Sequence, residues 1–589
     1  MSRINTRTVA AARPAPLITT TTTRPNTRTH EGAPAYTRDA KGELFLTATT
    51  TFFGENTFYE KANTRTERLI DLAHQVAIDD LPWLTRFTTW LRNTANIRTA
   101  AIVIAAEGVK ARLDAGQKDL VCEGGRTCRQ CWTSHSTVLK AEGTYGEHFT
   151  NRRLINAALV RADEPGELLA YWVSRYGRPI PISVKRALAD GAKKLYTEFN
   201  YLKWDSEARA VRMADVIDMT QPAYHHPEIR STYQYDLFGY ALAKRHNRDQ
   251  IVISDRLPMI RERVKLMAVP VTERRALILS PDGQQWLKAA GMTWESLAGW
   301  LQGPMDAAAW EAMIPTMGYM ALLRNLRNFD QAGVSDAVAH KVRVRLSDPE
   351  QVAKSRQLPY RFLSAQLNTE TYRWSPAIEA ALNHSVRNIP AFPGRTLVLV
   401  DTSASMQSLV SDKSKMSHVM TAALFGTALA IKGNNVDLVG FADGVFTHEV
   451  KRGSSVLREV ERFIKRIGEV GHGTQLFNSV AQTYKGHDRV IAITDMQTCR
   501  YMTPSSYYSS YYSGYNNRHD ASRLAGFKLP DGIPFYGFNT GGYKETVMDG
   551  KPGMYELGGM TDSTFAQILN IEAAKKGVWP WEQNEQVAA

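Results

Sequence analysis

Asp401, Ser403 and Ser405 stand at alternate positions in "DTSASM", directly after the apolar run "GRTLVLV". Three oxygen-bearing side chains at a spacing of two, on a strand-to-helix turn, can converge on one hard divalent cation. Thr474 in "GHGTQ" and Asp495 in "AITD" are expected at the same sheet edge, because Asp495 also ends an apolar run. Two carboxylates and three hydroxyls suit Mg²⁺, which keeps several waters and takes few protein carboxylates. Read alone, the Asp-x-Ser-x-Ser pattern also fits an ordinary turn with serines capping a helix. The Thr and the second Asp, each on its own element, weigh against that. No histidine base lies near Ser403 or Ser405 in the sequence, so neither serine reads as a nucleophile. A metal-dependent hydrolase would need paired carboxylates beside a water-activating histidine set, and none is evident. We therefore expect binding without catalysis, and no catalytic residues.

Other residue sets carry weaker chemistry. Cys122, Cys128 and Cys131, with His135 four residues on, offer the four ligands of a tetrahedral zinc site. The spacing is not a standard knuckle, and a redox pair or free thiols in a loop stay open. Lys185 and Lys193 lie eight residues apart, as do Arg186 and Lys194, which makes a basic stripe about two turns long on a helix. Such a stripe serves phosphates; it is also what a solvated helix face looks like. Arg324 and Arg327, flanked by Asn325 and Asn328, share a helical side and read as a second phosphate-binding segment. Lys244, Arg245 and Arg248 form a further cluster, equally compatible with plain surface. The tract from Arg500 to His519 holds Tyr501, Tyr507, Tyr508, Tyr511, Tyr512 and Tyr515 among Ser and Gly. It is either a floppy insertion or a stacking surface for unpaired bases.

These groups need elements to hold them, and the chain of 589 residues is long enough for two or more domains. Hydrophobic residues make up 43%, which supports real cores and argues against global disorder. No apolar run reaches membrane-spanning length and no apolar leader is present at the start, so a soluble cytoplasmic protein without a membrane partner is expected. Four cysteines rule out a disulfide scaffold. Lys and Arg total 72 against 59 Asp and Glu, a net charge of +13, and nucleic acid is the default partner of such an excess. Residues 1–30 contain five Arg, no acid and a Thr19–Thr23 run, and are expected to be a disordered basic arm.

Residues 31–390 are helical in pattern. Candidate helices run over Arg98–Leu113, Arg152–Arg161, Pro165–Tyr176, Ile182–Phe199, Asp236–Arg245, Asp306–Asn328 and Pro376–Val386. Short polar turns between them indicate stacked helix pairs. Near Pro390 the pattern changes. Buried-strand runs at Gly394–Asp401, Val436–Asp443, Arg489–Met496 and Ile533–Asn539 alternate with helices at Lys415–Lys432 and Val456–Ile467. That alternation predicts a doubly wound, Rossmann-like α/β domain over 391–580, so the whole chain is mainly α plus α/β. Ligands of such sheets sit at the carboxyl ends of the strands.

The set Asp401, Ser403, Ser405, Thr474 and Asp495 resembles the metal-ion-dependent adhesion site (MIDAS) of von Willebrand factor A domains. That resemblance implies an ion helping to capture an acidic group of a partner. Several ordered blocks resemble the Ro autoantigen family, whose helical part is the TROVE domain: Glu31–Glu60, "ALLRNLRNF" (Ala321–Phe329), "RWSPAIEAAL" (Arg373–Leu382) and Gly553–Leu569. The resemblance, to bacterial-type members in particular, implies a ring of HEAT-like helix pairs closed by the A domain. It implies that single-stranded 3′ ends of misfolded RNA enter the ring, that a small noncoding Y-like RNA binds the outside, and that a 3′→5′ exoribonuclease is tethered through that RNA. It also implies a monomer that is not itself a nuclease and acts in RNA quality control, processing or decay. One segment departs from the family. Where the family carries Ser-His-Lys-Asp-Leu-Leu-Arg, this chain has Arg212–Asp218, with Met213, Ala214 and Asp218 at the His, Lys and Arg positions. Lys185 and Arg186 are then expected to dominate outer-surface RNA binding. The alternative is a protein–protein adhesion scaffold built on the metal site, with no specific RNA role.

Overall fold

The computed structural model describes residues 16–50, 54–117, 121–122, 148–247, 251–387, 389–411, 414–433, 435–451, 453–499, 529–530, 532–559, 562–574 and 579–582. The chain is mainly α plus α/β and forms two compact units. One comprises residues 1–72, 347–368 and 372–589; the other comprises 73–346 and 369–371. These units do not divide at residues 30 and 390. The start of the chain belongs with the α/β unit, because its backbone pairs there.

The α/β unit is built on a six-stranded sheet. Its strands are β1 (Thr396–Asp401), β2 (Val436–Phe441), β3 (Val445–Thr447), β4 (Arg489–Thr494), β5 (Phe535–Asn539) and β6 (Met554–Gly558), in the order β6-β5-β4-β1-β2-β3. All neighbours pair in parallel except β2 and β3, a short antiparallel edge. Every residue of β1, β4 and β5 is buried, which is why they read as unbroken apolar runs. Leu397 and Leu399 point to the face covered by Leu476 and Val480 of the Leu476–Thr483 helix. Val398 and Val400 point the other way, toward the His418–Lys432 helix. Gly426 lets that helix approach, since a Cβ there would come 2.6 Å from Val400 Cγ2. Phe565, from Asp562–Ala574, stacks on Phe425 and Phe538 on the same face. The four expected strands all form, and the short β3 and β6 are added to them.

The expected arm over 1–30 needs correction for its described part, residues 16–30. Thr20 bridges Arg38, Thr27–Arg28 pairs antiparallel with Pro34–Thr37, and Glu545–Thr546 completes a small three-stranded sheet. Ile18 and Thr29 are buried. The threonine run satisfies its backbone by pairing with the following turn, as in Thr21 N to Thr37 O at 2.9 Å, and so does not need a core of its own. Arg38 fastens the segment. Its guanidinium grips Glu556 on β6 through Nε and Nη2 at 2.6 Å and reaches the carbonyls of Tyr543, Lys544 and Glu545 at 2.8–3.1 Å.

In the helical unit, successive helices pack mainly on their neighbours. Leu81–Asn93 meets Thr99–Asp114 and Asn151–Ala158; the last meets Ile182–Leu195, which meets Met213–Thr220, which meets Tyr233–Arg245. This nearest-neighbour pattern is that of stacked helix pairs. Two expected long helices are broken. Ile182–Phe199 ends at Leu195, and Thr197 caps a new helix, Glu198–Trp204, by accepting from Asn200 N at 3.2 Å. Asp306–Asn328 becomes Ala307–Met313, a 3-10 turn at Ile314–Thr316 carrying Pro315, then Tyr319–Arg324 and Leu326–Gln331. The described helices include none long and apolar enough to cross a membrane.

Candidate metal centre and basic helix faces

Asp401 is the last residue of β1, and Asp495 immediately follows β4, its hydrogen-bonded neighbour. Parallel pairing brings both acids to one carboxyl edge. Ser403 and Ser405 follow on the turn after β1. Thr474 arrives on the loop before the Leu476–Thr483 helix. All five side chains are at least 95% buried. Ser403 N donates to Asp401 Oδ1 at 2.9 Å, Thr494 Oγ1 to Asp401 Oδ2 at 2.5 Å, and the Ser403 and Ser405 hydroxyls lie 3.2 Å apart. Asp495 Oδ1 accepts from Gln497 N at 3.0 Å.

The loops are set by residues the sequence did not single out. Asp443 Oδ2 accepts from His472 N and Gly473 N, both at 3.0 Å, and His472 O accepts from Ala404 N at 3.0 Å. A Cβ on Gly473 would come 2.2 Å from Asp443 Oδ1, so the cradle needs glycine. Thr474 O accepts from Thr498 Oγ1 at 2.8 Å and Cys499 N at 2.7 Å, tying the Thr474 loop to the chain beyond Asp495. Met496 turns that chain with φ +65°, a left-handed conformation that costs a side-chain-bearing residue energy. Asp443 closes the apolar run of β2, a signal that could have marked it.

The electrostatics favour a cation. Burial, then the charge of Asp495, pushes the Asp401 carboxyl up to about 7. Burial, with the Glu31 carboxylate adding to it, pushes Asp495 up to about 6. Neither acid has an ion-pair partner among the described residues. Two enclosed carboxylates without a counter-charge are unfavourable unless one is protonated or a cation joins them. With the Ser403 and Ser405 hydroxyls on the turn after Asp401 and Thr474 on the adjoining loop, the donor set is all oxygen and fits Mg²⁺. Clusters of three or more His, Cys, Asp or Glu suited to a metal are absent among the described residues. Cys128, Cys131 and His135 lie outside those residues; Cys122 lies on the two-residue strand Val121–Cys122. The Tyr-rich tract over 500–519 also lies outside them.

The basic stripe sits where expected, on the Ile182–Leu195 helix, whose Val184, Ala187, Leu188, Ala189 and Ala192 face the core. Lys185, Arg186 and Lys194 make no ion pair among the described residues; Lys193 is held by Glu228. Arg324 and Arg327 are exposed and likewise unpaired there. They lie on either side of a helix break rather than on one helix. Asn325 is a correction to the candidate binding set. It is 3% exposed at that break, where its Nδ2 donates to Ala321 O and its Oδ1 accepts from Asn328 Nδ2, each at 2.8 Å. Arg245 is taken up by Asp215 at 2.8 Å. In the departing segment, Met213 and Ala214 are buried and Arg212 is bound to Asp205, so neither apolar side chain is available to RNA.

The model of the TROVE domain matches residues 289–373, a span that contains Arg324 and Arg327. Residues 289–373 are therefore similar to part of a TROVE domain. No curated protein matches the sequence. The crystal structure of the Deinococcus radiodurans Ro (RSR) protein is similar, with a TM-score of 0.54 at 16% identity, over 88% of this chain and 96% of that one. That likeness, extending well beyond the matched TROVE span, shows a shared fold of helical repeats plus a Rossmann-like α/β part.

Proposed function

We propose that this chain is a Ro-type RNA-binding protein without catalysis of its own. It takes the single-stranded 3′ ends of misfolded RNA near Arg324 and Arg327, and a small noncoding Y-like RNA on the face of Lys185, Arg186 and Lys194. Through that RNA it acts with a 3′→5′ exoribonuclease in RNA quality control, as a cytoplasmic monomer. The observation that carries this reading is the pair of exposed arginines, free of ion pairs among the described residues, inside the TROVE match. Unpaired guanidinium groups on a helix surface are ready to neutralise phosphates, and each neutralised phosphate makes binding salt-dependent. The α/β unit, von Willebrand factor A-like, holds Mg²⁺ through Asp401, Ser403, Ser405, Thr474 and Asp495.

The test compares a duplex bearing a single-stranded 3′ tail with the same duplex blunt-ended, across salt. We expect tighter, steeply salt-sensitive binding of the tailed RNA. A Lys185→Ala/Arg186→Ala double variant should lose affinity for structured noncoding RNA; unchanged affinity would remove that face from the reading. The buried carboxylate pair favours a second reading, an adhesion scaffold that grips an acidic partner through its cation. Equal, weak binding of both RNAs would shift the weight to it.

A further inference from the structure

The segment that follows Asp495 is flanked by an earlier part of the chain. Residues 29–32 run along the segment after β4: Thr29 Oγ1 donates to Thr498 O at 2.8 Å, His30 N to Gln497 Oε1 at 2.8 Å, and Gly32 bridges Cys499. Glu31 is thereby set beside the metal-site loop. Its carboxylate accepts a hydrogen bond from the Tyr59 hydroxyl, and Cys499 Sγ stands 3.8 Å from its other oxygen. Cys499 Sγ also accepts from Thr474 N at 3.3 Å. One sulfur therefore stands between the Glu31 carboxylate and the loop of the proposed ligand Thr474, within one compact unit. Tyr59 is pinned in place: its ring stacks on His30 at 4.7 Å and meets Tyr543 edge-on at 5.4 Å.

Glu31 has no cationic partner among the described residues, and neither do Asp401 and Asp495. The main chain has brought a third carboxylate beside the segment that follows Asp495, one of a pair that already repels. A strap that lies down here is held against electrostatics unless a cation sits among the three acids.

We propose that Glu31 is the built-in acidic ligand of this site: the cation draws the Glu31 carboxylate toward its outer face and so clasps residues 29–32 against the sheet edge. An outside carboxylate would have to displace Glu31, which makes capture of an acidic partner conditional on release of the strap. This inference rests on the cation reading above.

The experiment titrates full-length protein with Mn²⁺ and follows free Mn²⁺ by electron paramagnetic resonance, for the wild type, Glu31→Gln and Asp401→Asn. Tryptic cleavage after Arg28 is timed with and without Mn²⁺, and melting without metal checks that each variant is folded. We expect one site in the wild type, loss of that site in Asp401→Asn, and several-fold weaker binding in Glu31→Gln. Mn²⁺ should slow cleavage after Arg28 in the wild type and not in Glu31→Gln. If Glu31→Gln binds Mn²⁺ as tightly as the wild type, the clasp is overturned and the cation reading stands. If the wild type binds no more Mn²⁺ than Asp401→Asn, the cation reading falls and the clasp falls with it.

Discussion

At the scale of single residues, the α/β unit contains ionisable groups whose surroundings oppose their charge. His418 begins the His418–Lys432 helix, and burial, then the nearby Arg65 guanidinium, pushes its imidazole down to about 4. In the unfolded chain it titrates near the ordinary value of about 6.5. Below that pH the unfolded chain takes up a proton that the folded chain refuses. Stability from this group is therefore complete above about pH 6.5 and is lost as pH falls toward about 4, by up to roughly 3 kcal/mol. Urea unfolding across this window should show the loss in the wild type and a shallower one in His418→Gln. Asp401 and Asp495 were legible as candidate ligands because each ends an apolar strand. Glu31 and Tyr59 were not: they reach the site through long-range pairing, and no local spacing announces that. Asn325 shows the converse limit. Its neighbours made it look like a contact residue, while its amide is spent on closing a helix break.

At the scale of elements, strands and most helices followed from the pattern, because full burial of β1, β4 and β5 writes an unmistakable apolar run. The breaks at Tyr196 and Asn325 did not follow, since one depends on the Thr197 cap and the other on the Asn325 amide bonding back to Ala321 O, each within an otherwise helical stretch. The N-terminal strap was hidden for a different reason. Its threonines and arginines carry little apolar surface, and its order comes from pairing with Pro34–Thr37 and from the grip of Arg38 on β6. Burial of Arg38 is offset by Glu556, which also accepts from Asn539 Nδ2 at 2.8 Å. Removing one partner of such a pair leaves an uncompensated buried charge, at a cost of about 3–5 kcal/mol. Arg38→Ala should lower the urea midpoint of the α/β unit accordingly. A fragment starting at residue 391 lacks Arg38 altogether, and its near-ultraviolet circular dichroism should report loose packing where a sequence-based boundary expects an independent domain.

At the scale of the whole molecule, a net charge of +13 says only that polyanions are attracted; it does not say where. The distribution of pairing narrows the choice. Arg152, Lys193, Arg212, Arg245, Arg256 and Arg275 in the helical unit are each bound to an acid, whereas Lys185, Arg186, Lys194, Arg324 and Arg327 are not so bound among the described residues. Cations already matched to carboxylates add little to counterion release, because a phosphate must first displace the acid. The salt slope should therefore be set by unmatched cations, Arg324 and Arg327 among them. For a single strand each neutralised phosphate contributes about 0.7 to the slope of log affinity against log salt. If Arg324 and Arg327 each hold one phosphate of a 3′ tail, Arg324→Ala/Arg327→Ala lowers that slope by about 1.4. Asp401→Ala should leave the slope unchanged, since Asp401 belongs to the α/β unit and the proposed phosphate contacts to the helical one. The double arginine variant keeping its full slope would move tail binding off the TROVE segment; Asp401→Ala losing it would place RNA on the α/β unit instead.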